Sequence, residues 1–141
     1  MTRIFWDAML FIYLLDRHPQ FEPRVRELLE RSARRNDLLV TSCLALGEVM
    51  AGAGADHTRV ERVRTTIAAM GFSFLPFEED CAPAFARLRA VEKLKAPDAI
   101  HLACAASAGV DMFLTGDAQL LKRRLHVPGI HFIADFTLPV L

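Results

Sequence analysis

Apolar residues recur along the chain in two rhythms. Arg3 to Trp6, Leu38-Leu39-Val40, Phe72 to Leu75, Met112-Phe113-Leu114 and Ile130 to Ile133 are short apolar runs, which predict five strands. Between them the spacing is helical. Met9 to Leu15 reads as a short helix stopped before His18-Pro19. Val25, Leu28, Leu29 and Ala33 mark a second, with Pro23 at its start. Thr41 or Ser42 can cap a third that runs to about Ala51, before Gly52 and Gly54. Val60, Val63, Ile67 and Met70 form another stripe, closed by Gly71. Cys81, Ala84, Phe85, Leu88 and Val91 mark a long helix. Pro97 opens a small-residue helix, Asp98 to Ala108, and Ala118 to Arg124 is a short last one.

Strands thus alternate with helices, and the strands are too uniformly apolar to face water on one side. Such strands belong in a parallel sheet covered by helices on both faces. Open parallel sheets bind ligands beyond the carboxyl ends of their strands, so polar residues without a structural purpose matter most there. No repeat, low-complexity stretch or Gly/Ser linker divides the chain, and residues 1–141 read as one domain.

Composition narrows the class. A hydrophobic share of 52 % excludes a disordered chain. Lys+Arg and Asp+Glu are 17 each, so bulk positive charge does not hold this chain to nucleic acid; any such contact needs a local patch or a metal. Cys43, Cys81 and Cys104 lie far apart and read as small buried hydrophobes in a reducing compartment, not as a zinc site. The start, Met1 to Asp7, meets a charge too soon for a signal peptide. No uncharged run reaches the ~18 residues a membrane helix needs. A cytoplasmic protein is expected.

Four acids stand apart from the solvated helix faces. Asp7 separates Ile4-Phe5-Trp6 from Ala8-Met9-Leu10-Phe11. Glu48 lies in Leu44-Ala45-Leu46-Gly47-Glu48-Val49-Met50, and its segment from Leu38 to Ala55 holds no Lys or Arg. Asp98 opens an apolar helix, and Asp117 follows Leu114-Thr115-Gly116. All four can reach the carboxyl-end crevice. Plainer roles exist: Asp98 suits a positive helix terminus and Asp117 a helix cap. Asp7 and Glu48 have no such local explanation, since Glu is almost never buried unless paired. Two like charges ~4 Å apart repel by about 4 kcal/mol at an effective dielectric of 20. Four clustered carboxylates therefore call for a divalent cation, and all-oxygen donors point to Mg²⁺ or Mn²⁺.

In order along the chain, Asp7, Ser42…Gly47-Glu48-Val49, Ala96-Pro97-Asp98-Ala99-Ile100-His101-Leu102-Ala103 and Leu114-Thr115-Gly116-Asp117 closely resemble the PIN domain, most of all VapC-type toxin ribonucleases of prokaryotic toxin–antitoxin systems. The resemblance spans essentially the whole chain. It implies an α/β/α sandwich around a mostly parallel sheet of four to five strands, and Mg²⁺-dependent endonucleolytic cleavage of RNA. It also implies a homodimer and a cognate antitoxin. Asp7, Glu48, Asp98 and Asp117 carry over as metal-binding and catalytic acids, with Thr115 as a polar residue that orients them. The family commonly has Thr or Ser, then Asn or Ser, after the first Asp; here Ala8 and Met9 stand there. That loss of polar groups leaves a catalytically silent PIN-like binding module as the alternative.

Lesser candidates surround these acids. Lys93 and Lys95 flank the loop before Asp98 and suit RNA phosphates, as do Arg59, Arg62, Arg64, Lys122, Arg123 and Arg124 in a weaker sense. His101, one turn after Asp98, either touches substrate or is a core histidine bonded to a backbone carbonyl. Phe11, Tyr13 and Phe21 are candidates for a partner groove or for core. A receiver-like phosphoacceptor domain fits less well, because it needs paired acids after the first strand and a Lys after the last.

Overall fold

A computed structural model describes residues 1–141. Five strands form its central sheet: β1 (Arg3–Trp6), β2 (Leu38–Ser42), β3 (Ser73–Leu75), β4 (Val110–Thr115) and β5 (Ile130–Asp135). Their order is β3-β2-β1-β4-β5, and every pairing is parallel. The sheet is therefore wholly parallel with five strands, the upper end of the expected range.

Alternation along β1 shows how the layers arise. Ile4 and Trp6 point into one core with Leu39, Leu10, Phe11, Val25, Leu28, Val49 and Ile67. Apart from Leu39 of β2, these partners come from α1 (Ala8–Leu15), α2 (Glu22–Arg35), α3 (Cys43–Ala51) and α4 (His57–Ala69). Phe5 points the other way, into a core with Val40, Leu88, Leu102, Phe113, Leu120 and Val127. That layer holds α5 (Ala82–Ala90), α6 (Ala96–Ala108) and α7 (Ala118–Lys122). The fold is an α/β/α sandwich. Trp6, Phe11 and Phe72 pack edge-on or tilted with centroids 4.7–5.2 Å apart on one side. Phe5 and Phe113 stack at 4.7 Å on the other.

The long helix expected from Cys81 is split. Glu79–Cys81 is a 3-10 turn, and α5 starts at Ala82. Pro83 explains the break: it suits a first helical turn but offers no N–H to continue one from upstream. Gly129 has φ +97°, and a Cβ there would stand 2.3 Å from the Ala106 carbonyl oxygen, so the loop into β5 needs glycine. Of the cysteines, Cys81 and Cys104 are buried, and burial with the Cys81 neighbour pushes the Cys104 thiol up to about 12. Cys43 departs from expectation: as the first residue of α3 it is exposed. No helix is long and apolar enough to cross a membrane.

Candidate active site

β1 and β4 are neighbours, and both run out at the same edge of the sandwich. Asp7 follows β1 directly, with its N–H still in the ladder, donating to the Leu114 carbonyl at 2.9 Å. Its side chain is buried and doubly held. Ala8 N–H donates to Oδ1 at 2.8 Å, making Asp7 the cap of α1, and Thr115 Oγ1–H donates to Oδ2 at 2.8 Å. Turn chemistry therefore does account for one oxygen of Asp7, contrary to the expectation from sequence. Each carboxylate oxygen retains a further lone pair.

Thr115 ends β4, is fully buried, and also accepts the Asp117 N–H at 3.1 Å. One hydroxyl thus ties two acids together. Asp117 Oδ1 accepts N–H groups of Gln119 and Leu120 at 2.9 and 3.2 Å, so it caps α7 as its plainer role anticipated. That cap engages a single oxygen. Between them, Gly116 is wedged: a Cβ would lie 2.6 Å from the Phe136 ring and 2.9 Å from Met9 Sδ. The Gly116 N–H points at Met9 Sδ, 3.1 Å away. Met9 therefore supports this turn through a soft acceptor, where a polar side chain was the family expectation.

Asp98 lies in the first turn of α6, half-buried. Burial first, then the negative fields of Asp117 and Asp7, hold its carboxyl above the ordinary 3.8; His101 and Lys95 pull the other way. The three aspartates thus share one electrostatic site. No Lys or Arg forms an ion pair with any of them.

Glu48 is placed differently. Its side chain is 39 % exposed, so the burial expected for it is not found. The reason is helical: Ala45 and Val49 face the core, and position 48 lies beside that face, not on it. Its partner is His101, whose Nε2 stands 2.7 Å from Oε1. The other ring nitrogen, Nδ1, is 2.7 Å from Ser42 Oγ, and Ser42 also caps α3 by accepting the Ala45 N–H at 2.9 Å. His101 is buried and both its nitrogens are taken. It is the core histidine expected, but its partners are two side chains and not a backbone carbonyl, and no ring nitrogen is left free. Sequence reasoning noticed Ser42 only as a cap; its bond to a histidine 59 residues away has no local signal.

No three His, Cys, Asp or Glu side chains converge tightly enough to enclose a cation by themselves. The donor set nevertheless fits Mg²⁺ or Mn²⁺. It is all oxygen, its three aspartates form no ion pair with Lys or Arg, and Mg²⁺ keeps several waters while taking only one or two carboxylates. Asp98 and Asp117 line a groove with Lys93, Lys95, Gln119 and Arg123. Lys93 and Lys95 are exposed on its rim. Arg59 and Arg62 lie elsewhere, in a groove with Ile12, Leu15, Val49 and Val63 between α1, α3 and α4. Arg64 pairs with Glu61. Phe11 is core, and Tyr13 and Phe21 pack on His18 and Phe136, in line with the reading of these aromatics as core.

Residues 4–124 match the PIN domain family model, and the chain belongs to that family. Among solved structures it is similar to VapBC2 from Rickettsia felis bound to a promoter DNA fragment, with TM-score 0.71 and 15 % identity over 95 % of this chain and 98 % of that one. VapBC-1 from nontypeable Haemophilus influenzae gives TM-score 0.71 and 16 % identity over 97 % and 100 %. A toxin–antitoxin complex from Klebsiella pneumoniae gives TM-score 0.66 and 25 % identity over 90 % and 94 %. No curated protein matches in sequence.

Proposed function

We propose that this chain is a metal-dependent endoribonuclease, the toxin of a toxin–antitoxin pair. The observation that carries the reading is the setting of Asp98: burial first, and then two further aspartates from the ends of β4 and β1, raise its carboxyl against the weaker pull of His101 and Lys95, and no Lys or Arg forms an ion pair with it. Such a site is stable with all acids ionised only when a cation offsets them. Family membership and the likeness to toxin–antitoxin structures support the same reading.

Asp7, Asp98 and Asp117 would hold Mg²⁺ or Mn²⁺, which when bound supplies charge stabilisation at the phosphoryl oxygen and makes water a better nucleophile. The chain's own residues do the rest. Thr115 and the Ala8 N–H fix the Asp7 carboxylate. The α7 cap fixes Asp117 through Oδ1 alone. Glu48, set apart on the His101 side, would either add a carboxylate oxygen to the cation site through Oε2 or orient the attacking water there. Hydrolysis breaks one P–O bond of the chain, giving a phosphomonoester and a hydroxyl. Lys93, Lys95 and Arg123 hold neighbouring phosphates along the groove. The groove bearing Ile12, Leu15, Arg59 and Arg62 suits an amphipathic antitoxin segment that carries acids. The active form is a homodimer.

RNA cleavage assayed with Mg²⁺, Mn²⁺ and EDTA tests this. Cleavage is expected with either ion, with loss in EDTA and a fall of at least about 100-fold in Asp98→Asn, beyond what removal of an outer-shell partner typically costs. Cleavage that survives both would sink the mechanism. The silent module is favoured by Met9, whose sulfur takes the Gly116 N–H. It predicts no cleavage and no growth arrest on expression.

A further inference from the structure

Ser42, His101 and Glu48 come from the end of β2, from α6 and from α3, yet form one chain of hydrogen bonds. For a neutral imidazole, counting protons gives its direction. A serine hydroxyl has one hydrogen and two lone pairs. One lone pair of Ser42 Oγ takes the Ala45 N–H. At the far edge of the imidazole, an ionised carboxylate oxygen, which only accepts, stands 2.7 Å from Nε2. Nε2 therefore carries a hydrogen. A neutral ring then has a bare lone pair at Nδ1, and Ser42 supplies the hydrogen that fills it. In this arrangement every donor has an acceptor. The opposite tautomer sets two lone pairs against each other across 2.7 Å and leaves the Ser42 hydrogen unused.

The ring itself is held. It is buried and lies against Phe5, with centroids 6.3 Å apart. Glu48 is not otherwise held: its helix has no basic residue, and its side chain is more than one-third exposed. A long carboxylate side chain left so would spread over many rotamers. We propose that His101, set in its Nε2–H tautomer by Ser42, is a positioning residue: it grips Glu48 Oε1 against α6, one turn from Asp98, and leaves Oε2 free for the water or cation of the site. The proposal rests on the reading of Glu48 as part of a working metal site. It also accounts for a buried histidine within a helix of mostly small and apolar residues.

Nitrogen NMR of the full-length wild type, without metal, reads the tautomer directly. Nε2–H is expected, and Ser42→Ala shifts the ring toward a mixture. Mn²⁺ titration followed by paramagnetic resonance then compares two substitutions. His101→Leu fills the space without a donor and lowers Mn²⁺ affinity about 10- to 100-fold, the size seen for outer-shell partners. His101→Gln offers an amide N–H where Nε2–H stood and restores the affinity to near that of the wild type. In RNA cleavage, kcat falls in His101→Leu while KM holds. A wild-type Nδ1–H tautomer would overturn the proposal. So would a His101→Leu protein with unchanged Mn²⁺ affinity and kcat, or a His101→Gln as defective as His101→Leu, which marks the ring as filler. If His101→Leu does not fold, Ser42→Ala carries the same expectation through the tautomer and Mn²⁺ affinity. A wild type that neither binds Mn²⁺ nor cuts RNA defeats the function proposed above instead, and the tautomer alone then decides the positioning.

Discussion

The two acids at strand ends and the two on helices are secured by different means. Asp7 and Asp117 each cap the helix that follows them, and the Thr115 hydroxyl ties one to the other. Their positions follow from turn chemistry on two paired strands. Asp98 and Glu48 depend on the rest of the fold: Asp98 bears the field of the other two aspartates, and Glu48 hangs from a single histidine. Local capping gives a rigid half of the site at little cost. In the helix-borne half Asp98 stores unfavourable charge, and this is the half a ligand can most readily adjust.

The largest test of this contrast is Thr115→Val. The substitution keeps the shape but removes the hydrogen donated to Asp7 and the acceptor for the Asp117 N–H. We expect a 10- to 100-fold loss of Mn²⁺ affinity and RNA cleavage. Urea denaturation is expected to show about 1–3 kcal/mol of lost stability, as for any buried group left unpaired. A valine variant as active as the wild type would break the claim that the strand-end half is tied together. Gly116→Ala comes next. Its Cβ meets Phe136 and Met9, and overpacking of this kind costs about 1–3 kcal/mol by the same measurement. An unchanged midpoint would show that the turn yields.

The smallest effect concerns the other half. The Asp98 carboxyl is raised in the folded chain, so ionising it costs folding free energy that the unfolded chain does not bear. Without metal, Asp98→Asn should therefore melt at a higher temperature than the wild type at pH 7. Below the ordinary carboxylate value Asp98 is protonated in both states, and the difference closes. Saturating Mg²⁺ should reverse the order, because only the wild type gains binding energy. A wild type more stable than Asp98→Asn at pH 7 without metal would contradict stored repulsion.

Much of this was legible in the chain. The five apolar runs became the five strands, because short, mostly apolar stretches have nowhere else to go in a layered fold. Asp7 and Asp117 were findable because strand ends are marked by the abrupt change from Leu and Phe to polar residues. Glu48 was harder: the apolar company of α3 suggested burial, but helical phase places it at the rim. The Ser42–His101 bond joins positions 59 apart, and no periodicity signals it. Strand order was equally hidden, since it is set by crossovers and not by composition. Met9 was read as the loss of a polar group, and only the packing around Gly116 shows what its sulfur does instead.

The central place of β1 has a consequence for the chain as it is being made. Asp7 leaves the ribosome early, but β4, against which it is anchored, ends at Thr115, and Asp117 lies beyond that. A nascent chain shorter than this carries every upstream acid and no assembled centre. Long-range parallel pairing is also slow to form. Any activity of this protein is accordingly withheld until Thr115 and Asp117 have been made, a built-in delay that needs no second molecule.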